Sequence, residues 1–180
     1  MKKLIALMLT VVMLAAVCCA SAEESTEPVV VPYDDSNAIS FVLPDGYAYQ
    51  ASYSGQMLII EMEKTFSPKL VMVVGVDEEY PDLQSLNDLS DEELNQYAGT
   101  LLEDWANASV NILTTDYGTK IIVIDEDSAD VDMCQLQGIY KGFTFCVYVI
   151  HTNGSEITDK DRDAAMKYLS NVWLVETAAE

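Results

Sequence analysis

Positive charge is scarce in this chain: 9 lysines and arginines face 30 aspartates and glutamates, for a formal charge of −21 at pH 7. A surface of that sign repels nucleic acid and anionic lipid and favours cations or basic partners. Histidine is reduced to one residue, His151, too few to build a metal site with spread-out cysteines, and it is expected to cap a strand end. No G-x-S-x-G elbow and no S-x-x-K pair occurs, so nucleophilic hydrolysis has no signature here. Neither G-x-x-x-x-G-K-S/T nor G-x-G-x-x-G is present, which removes the usual phosphate cradles. Among so many acids some carboxylate pair falls at a glycosidase-like spacing by chance, so that spacing carries no weight. These gaps place an enzyme behind a binding role.

The longest apolar run, Leu4 to Val17, follows Lys2 and Lys3 and precedes Ala20-Ser21-Ala22. Those are the three parts of a secretory signal, with cleavage after Ala22. The run is short for a bilayer span and acidic, proline-containing sequence follows it, so no stable membrane insertion is expected after cleavage. A lipid anchor on Cys18 or Cys19 is the weaker reading, because Val17 and Cys18 stand where a small residue should precede a modified cysteine. The expected setting is extracytoplasmic, either secreted or in a bacterial cell envelope. Residues 23–37 then read as an acidic linker able to donate a short strand, 38–176 as one domain, and 177–180 as a tail.

The best specified element is a helix over Leu89 to Trp105. Ser90 and Glu93 have capping-box spacing, Leu89 and Leu94 that of a hydrophobic staple, and Asp91, Glu92 and Glu93 put negative charge at the positive end of the dipole. Leu94, Tyr97, Ala98, Leu101, Leu102 and Trp105 then recur along one face. Strands are expected at Ile39 to Leu43, Gln56 to Glu63, Lys69 to Val76, Ala108 to Tyr117, Thr119 to Ile124, Val131 to Ile139 and Phe143 to Ile150, with turns at Pro44-Asp45-Gly46, around Gly118 and around Gly142. Phe143 to Ile150 (FTFCVYVI) reads as a central strand covered on both faces. A second helix starts at Thr158 and carries Ala165, Met166, Leu169, Val172 and Trp173 on its apolar side.

Strands linked as hairpins and interrupted by two helices predict an α+β fold: a mainly antiparallel sheet of about six to seven strands between helical layers, a three-layer α/β/α sandwich. Cys134 and Cys146 fall on the two arms of the last hairpin. With a three-residue turn at Tyr140, Lys141 and Gly142 they are diagonal neighbours; with a two-residue turn they lie on opposite faces. Two buried thiols are favoured over a bridge.

The FVLPDGY turn, the mid-chain helix, the hairpins around Gly118 and Gly142 and the closing Val172-Trp173-Leu174 resemble the PsbP-like family over about Ile39 to Val175. The resemblance implies a non-catalytic accessory or binding domain on that sandwich, and it carries over no functional residue. The leading functional expectation is an exported binding domain whose partner is a protein or a cell-envelope component. Tyr33, Tyr47, Tyr49, Tyr53 and Tyr80 are the candidate ligand-binding residues, because tyrosine offers rigid, amphipathic contact area. The alternative is calcium binding at Asp125, Asp127, Asp130 and Asp132, whose alternating carboxylates could present oxygens to the ion although they miss the helix-loop-helix template. No other cofactor is expected, and an enzyme without a recognisable signature is the third reading.

Overall fold

The computed structural model describes residues 27–65, 67–77, 80–102, 105, 107–115, 117–127, 132–151 and 156–177. The expected signal segment, both N-terminal cysteines and Asp130 lie outside these residues, as do the first residues of the linker and the end of the tail. The elements in order are β1 (Val29–Pro32), β2 (Asn37–Phe41), β3 (Ala48–Ser54), β4 (Met57–Glu63), β5 (Lys69–Val76), a 3-10 turn (Leu86–Asp88), α1 (Asp91–Leu101), β6 (Ala108–Thr114), β7 (Lys120–Asp127), β8 (Asp132–Tyr140), β9 (Phe143–Ile150), α2 (Asp159–Leu169) and β10 (Val172–Glu176).

Seven strands form one antiparallel sheet in the order β3-β4-β5-β9-β8-β7-β6, and three form a second in the order β1-β2-β10. The β8–β9 connection is the two-residue type: Tyr140 pairs with Phe143, and Lys141 and Gly142 both take positive φ, 52° and 80°. That geometry matches the twist of the strands it joins. Cys134 therefore pairs with Val149 and Cys146 with Gln137, on opposite faces, and both thiols are free.

Alternation along the strands divides the apolar side chains. Leu58, Ile60, Leu70, Met72, Phe145, Val147, Leu136 and Val123 point to one face and are buried under β1, β2 and α2, which contribute Val31, Ile39, Phe41, Ala165 and Tyr168. Phe41 ties the cover together through edge-to-face contacts with Tyr49 at 5.7 Å and Tyr168 at 5.9 Å. On the opposite face Ile122, Ile124 and Ile139 meet Leu94, Tyr97 and Ala98 of α1. At about 1.5–3 kcal/mol for each large side chain buried, the more populous first cluster holds most of the fold. Among the described residues no helix is long and apolar enough to cross a membrane.

The three-layer α/β/α sandwich is not formed. Among the described residues the protein is mostly antiparallel sheet, divided into two sheets with only two α-helices, and the layer expected to be helical over the first face is in large part the small sheet. The reason lies at the end of α2. The helix stops at Leu169, with Ser170 as its C-cap. Val172 and Trp173 leave its apolar side for a strand, where Val172 pairs with Phe41 and Trp173 with Ser40. β-Branched and aromatic residues favour that pleated environment, and pairing to β2 satisfies the Trp173 backbone. β9 is central as expected, but only Phe145, Val147 and Val149 are fully buried; Cys146, Tyr148 and Ile150 on its other face are partly buried. The first helix keeps its capping box and ends early, at Leu101.

Candidate functional site

An open groove of about 380 Å³ lies where the small sheet stops short of the outer strands of the large one. Ile121, Gly138 and Phe145 lie on the sheet face covered by the small sheet and α2, and they form its floor. The β6–β7 turn lines one side with Thr115, Tyr117 and Thr119, and the end of α2 and the start of β10 line the other, from Leu169 to Trp173. Three aromatic rings stand at its margins largely exposed: Tyr117 at 81%, Tyr140 at 45% and Trp173 at 44%.

The turn carrying Tyr117 is held from behind. Asn87 in the 3-10 turn donates to the Gly118 carbonyl at 2.9 Å and accepts from the Lys120 N–H at 2.8 Å. Thr115 Oγ1 accepts from the Thr119 N–H at 3.1 Å, and Gly118 takes φ of 78°, a conformation that favours glycine. On the facing side Ser170 Oγ donates to the Met166 carbonyl and Asn171 Nδ2 to the Lys167 carbonyl, at 2.8 and 2.7 Å. The groove is therefore preformed, and Thr115, Ser170 and Asn171 are already engaged in shaping it. Lys141 stands at one end, 5.7 Å from the centre of the Tyr140 ring and 3.7 Å from the Glu176 carboxylate.

A second polar constellation lies on the opposite face. The Tyr97 hydroxyl donates to Asp77 at 2.6 Å and accepts from the Gln137 amide at 2.6 Å; Gln135 donates to Gln137 at 3.0 Å, and the Cys146 thiol to Gln137 at 3.4 Å. Burial pushes the Cys146 thiol up to about 12, with the Asp77 charge adding to it, and burial raises Tyr97 as well. Cys134 is likewise pushed up to about 12, by burial first and then by the Asp125 charge. Both thiols stay protonated at neutral pH and neither is an activated nucleophile. This network satisfies buried amides and seats α1.

The sequence-predicted residues fall in several places. Tyr33, Tyr49 and Tyr53 lie where the small sheet meets β3, Tyr47 stands ahead of β3 beside Lys64, and three of their hydroxyls are bound to backbone carbonyls: Tyr33 to Gln56 at 2.6 Å, Tyr47 to Pro68 at 3.0 Å, and Tyr53 to Pro32. Tyr80 lies apart from them, packed edge-to-face on Tyr97 at 5.0 Å. Asp125 is engaged by Arg162 Nε at 2.8 Å. Asp127 and Asp132 are opposite each other in the β7–β8 ladder. Among the described residues no group of three or more His, Cys, Asp or Glu side chains could hold a metal ion. His151 follows β9 and lies 3.5 Å from Asp161, in the first turn of α2.

Sequence reasoning missed Tyr117, Tyr140 and Trp173. The first two do carry a signal, since an aromatic residue within two positions of the glycine of a tight turn has few neighbours to bury it. No protein-family model matches this chain, and no curated protein does.

Proposed function

We propose that this protein is a non-catalytic binding domain of the extracytoplasmic space that captures a macromolecule in the groove between β10 and the β6–β7 turn. The observation that carries this reading is the set of three exposed rings, Tyr117, Tyr140 and Trp173, around one preformed depression. Concave sites with aromatic walls bury much of a ligand at small ordering cost, and truncating such anchors removes a large share of affinity. Among the described lining residues the ionisable side chains are phenols, which supports recognition over proton transfer. The N-terminal signal pattern supports the location.

Retention on isolated bacterial envelope material, separated into peptidoglycan and protein fractions, tests the reading. Trp173→Ala and Tyr117→Ala should each weaken retention about five- to thirtyfold, the loss expected for an interface anchor worth roughly 1–2 kcal/mol. Their thermal midpoints should stay near that of the parent, since both rings are exposed. Undiminished retention in both variants would refute the groove as the recognition surface.

A further inference from the structure

The small sheet is one strand short on the side of the groove. In the antiparallel β2–β10 ladder the Thr177 N–H donates to the Ser36 carbonyl at 2.8 Å, which fixes the alternation. Trp173 and Val175 turn their N–H and C=O groups toward β2, and Val172, Leu174 and Glu176 turn theirs away from it. Those outward groups have no hydrogen-bond partner among the described residues. The other edge of the same sheet is blunted: Pro32 has no N–H, and its carbonyl accepts from the Tyr53 hydroxyl. The large sheet also has edges, at β3 and β6, but neither strand lines the groove as β10 does.

We propose that the ligand of the groove is an extended polypeptide that adds to β10 as a fourth strand of the small sheet; this rests on the groove being the binding surface. Thr115, Ser170 and Asn171 already spend hydrogen bonds on local backbone, and the regularly spaced open row along β10 is main chain, whose complement is another main chain. One set of alternate side chains would settle over Ile121, Gly138 and Phe145, and the other would flank Trp173. The formal charge of −21 and the exposed Glu176 select a basic segment over an acidic one, and they oppose a second copy of this chain on the same edge.

The test uses the purified protein, isotope-labelled for amide exchange, with three probes: a heptapeptide of alternating threonine and valine flanked by lysines, the same peptide N-methylated at the residues facing β10, and a hexamer of N-acetylglucosamine. The plain peptide should slow exchange at Val172, Leu174 and Glu176 at least tenfold and leave Trp173 and Val175, already in the ladder, unchanged. N-methylation should weaken binding at least tenfold. Glu176→Pro, which removes one outward N–H and leaves the β2 ladder intact, should bind about three- to tenfold more weakly than Glu176→Ala, which removes the same carboxylate and keeps the N–H, the range for a single hydrogen bond.

Equal binding of the plain and methylated peptides overturns the strand pairing. So does Trp173-dependent binding of the oligosaccharide in place of the peptide, while leaving the groove as the site. Dimerisation through β10 overturns it in favour of a second copy. If no probe binds and Trp173→Ala leaves envelope retention intact, the pairing and the groove fall together.

Discussion

Replacing Tyr97 by phenylalanine removes one oxygen from a side chain that is 2% exposed. That oxygen donates to Asp77 and accepts from Gln137, both at 2.6 Å. The ring stays, and with it the 5.0 Å edge-to-face contact with Tyr80, so packing is held nearly constant. A hydrogen bond to a charged group contributes about 1.5–3 kcal/mol and a neutral one about 1, so the variant should lose roughly 3 kcal/mol. For a domain of this size that lowers the thermal midpoint by about 6–12 °C. Urea unfolding followed by tryptophan fluorescence gives the free energy directly. Gln137→Met in the same background completes a double-mutant cycle, and the coupling should lie between about 0.5 and 3 kcal/mol. A loss below about 0.5 kcal/mol for Tyr97→Phe, or strict additivity in the cycle, would refute the network as the seat of α1.

Thr144 carries a hydroxyl that is buried without a partner among the described residues. Thr144→Val keeps the branched shape and removes the orphan, so it should stabilise the protein by about 1 kcal/mol in thermal unfolding; a loss of stability would reveal a partner for that hydroxyl. Asp161 contributes to the acid limb. Burial opposes its ionised form, but the Thr158 hydroxyl and N–H, together with His151, outweigh burial and hold its carboxyl below the ordinary range. The folded state therefore binds that proton more weakly than the unfolded state does. The stabilisation is complete above the unfolded carboxylate range and is lost as pH falls through the depressed folded value. Asp161→Asn should flatten stability against pH in that limb, as read from urea midpoints between neutral and strongly acidic pH, and an unchanged slope would remove Asp161 from the account.

Local chemistry was legible wherever a few neighbouring residues decide the outcome. The Ser90–Glu93 capping box is such a case, with the Ser90 N–H donating to the Glu93 carboxylate at 2.9 Å. The reversal around Gly142 was legible as a turn but not in its length, which the structure gives as the two-residue Lys141-Gly142 form. It fixes the register of β8 on β9, and thereby the opposite faces of Cys134 and Cys146. The small sheet was not legible, because β10 pairs with β2, at the far end of the sequence. Val172 and Trp173 stand three and four residues after Leu169, so their apolar character continues the helical period equally well. A period cannot distinguish a helix from a strand whose partner lies outside the window. Asn171 is the one local sign of a break, and α2 ends just before it.

The same distance effect hid the site. Tyrosines are numerous near β3, yet three of their hydroxyls are spent on the carbonyls of Gln56, Pro68 and Pro32, and the Tyr33 and Tyr53 bonds hold the small sheet against the β3–β4 side of the large one. Tyrosine density therefore marked where the sheets are fastened, and the exposed rings stand where the fastening ends. A three-stranded sheet laid over a seven-stranded one leaves part of the larger face uncovered. Among the described residues β10 ends that cover with its outward backbone unpaired, while the more N-terminal edge is blunted by Pro32 and Tyr53. A proline and a tyrosine together on one edge and neither on the other is an asymmetry that packing does not require, because a proline at the Glu176 position would leave the β2 ladder intact. The open edge is thus a property of these residues rather than of the fold, and it falls on the side where Trp173, Tyr140 and Tyr117 surround the groove.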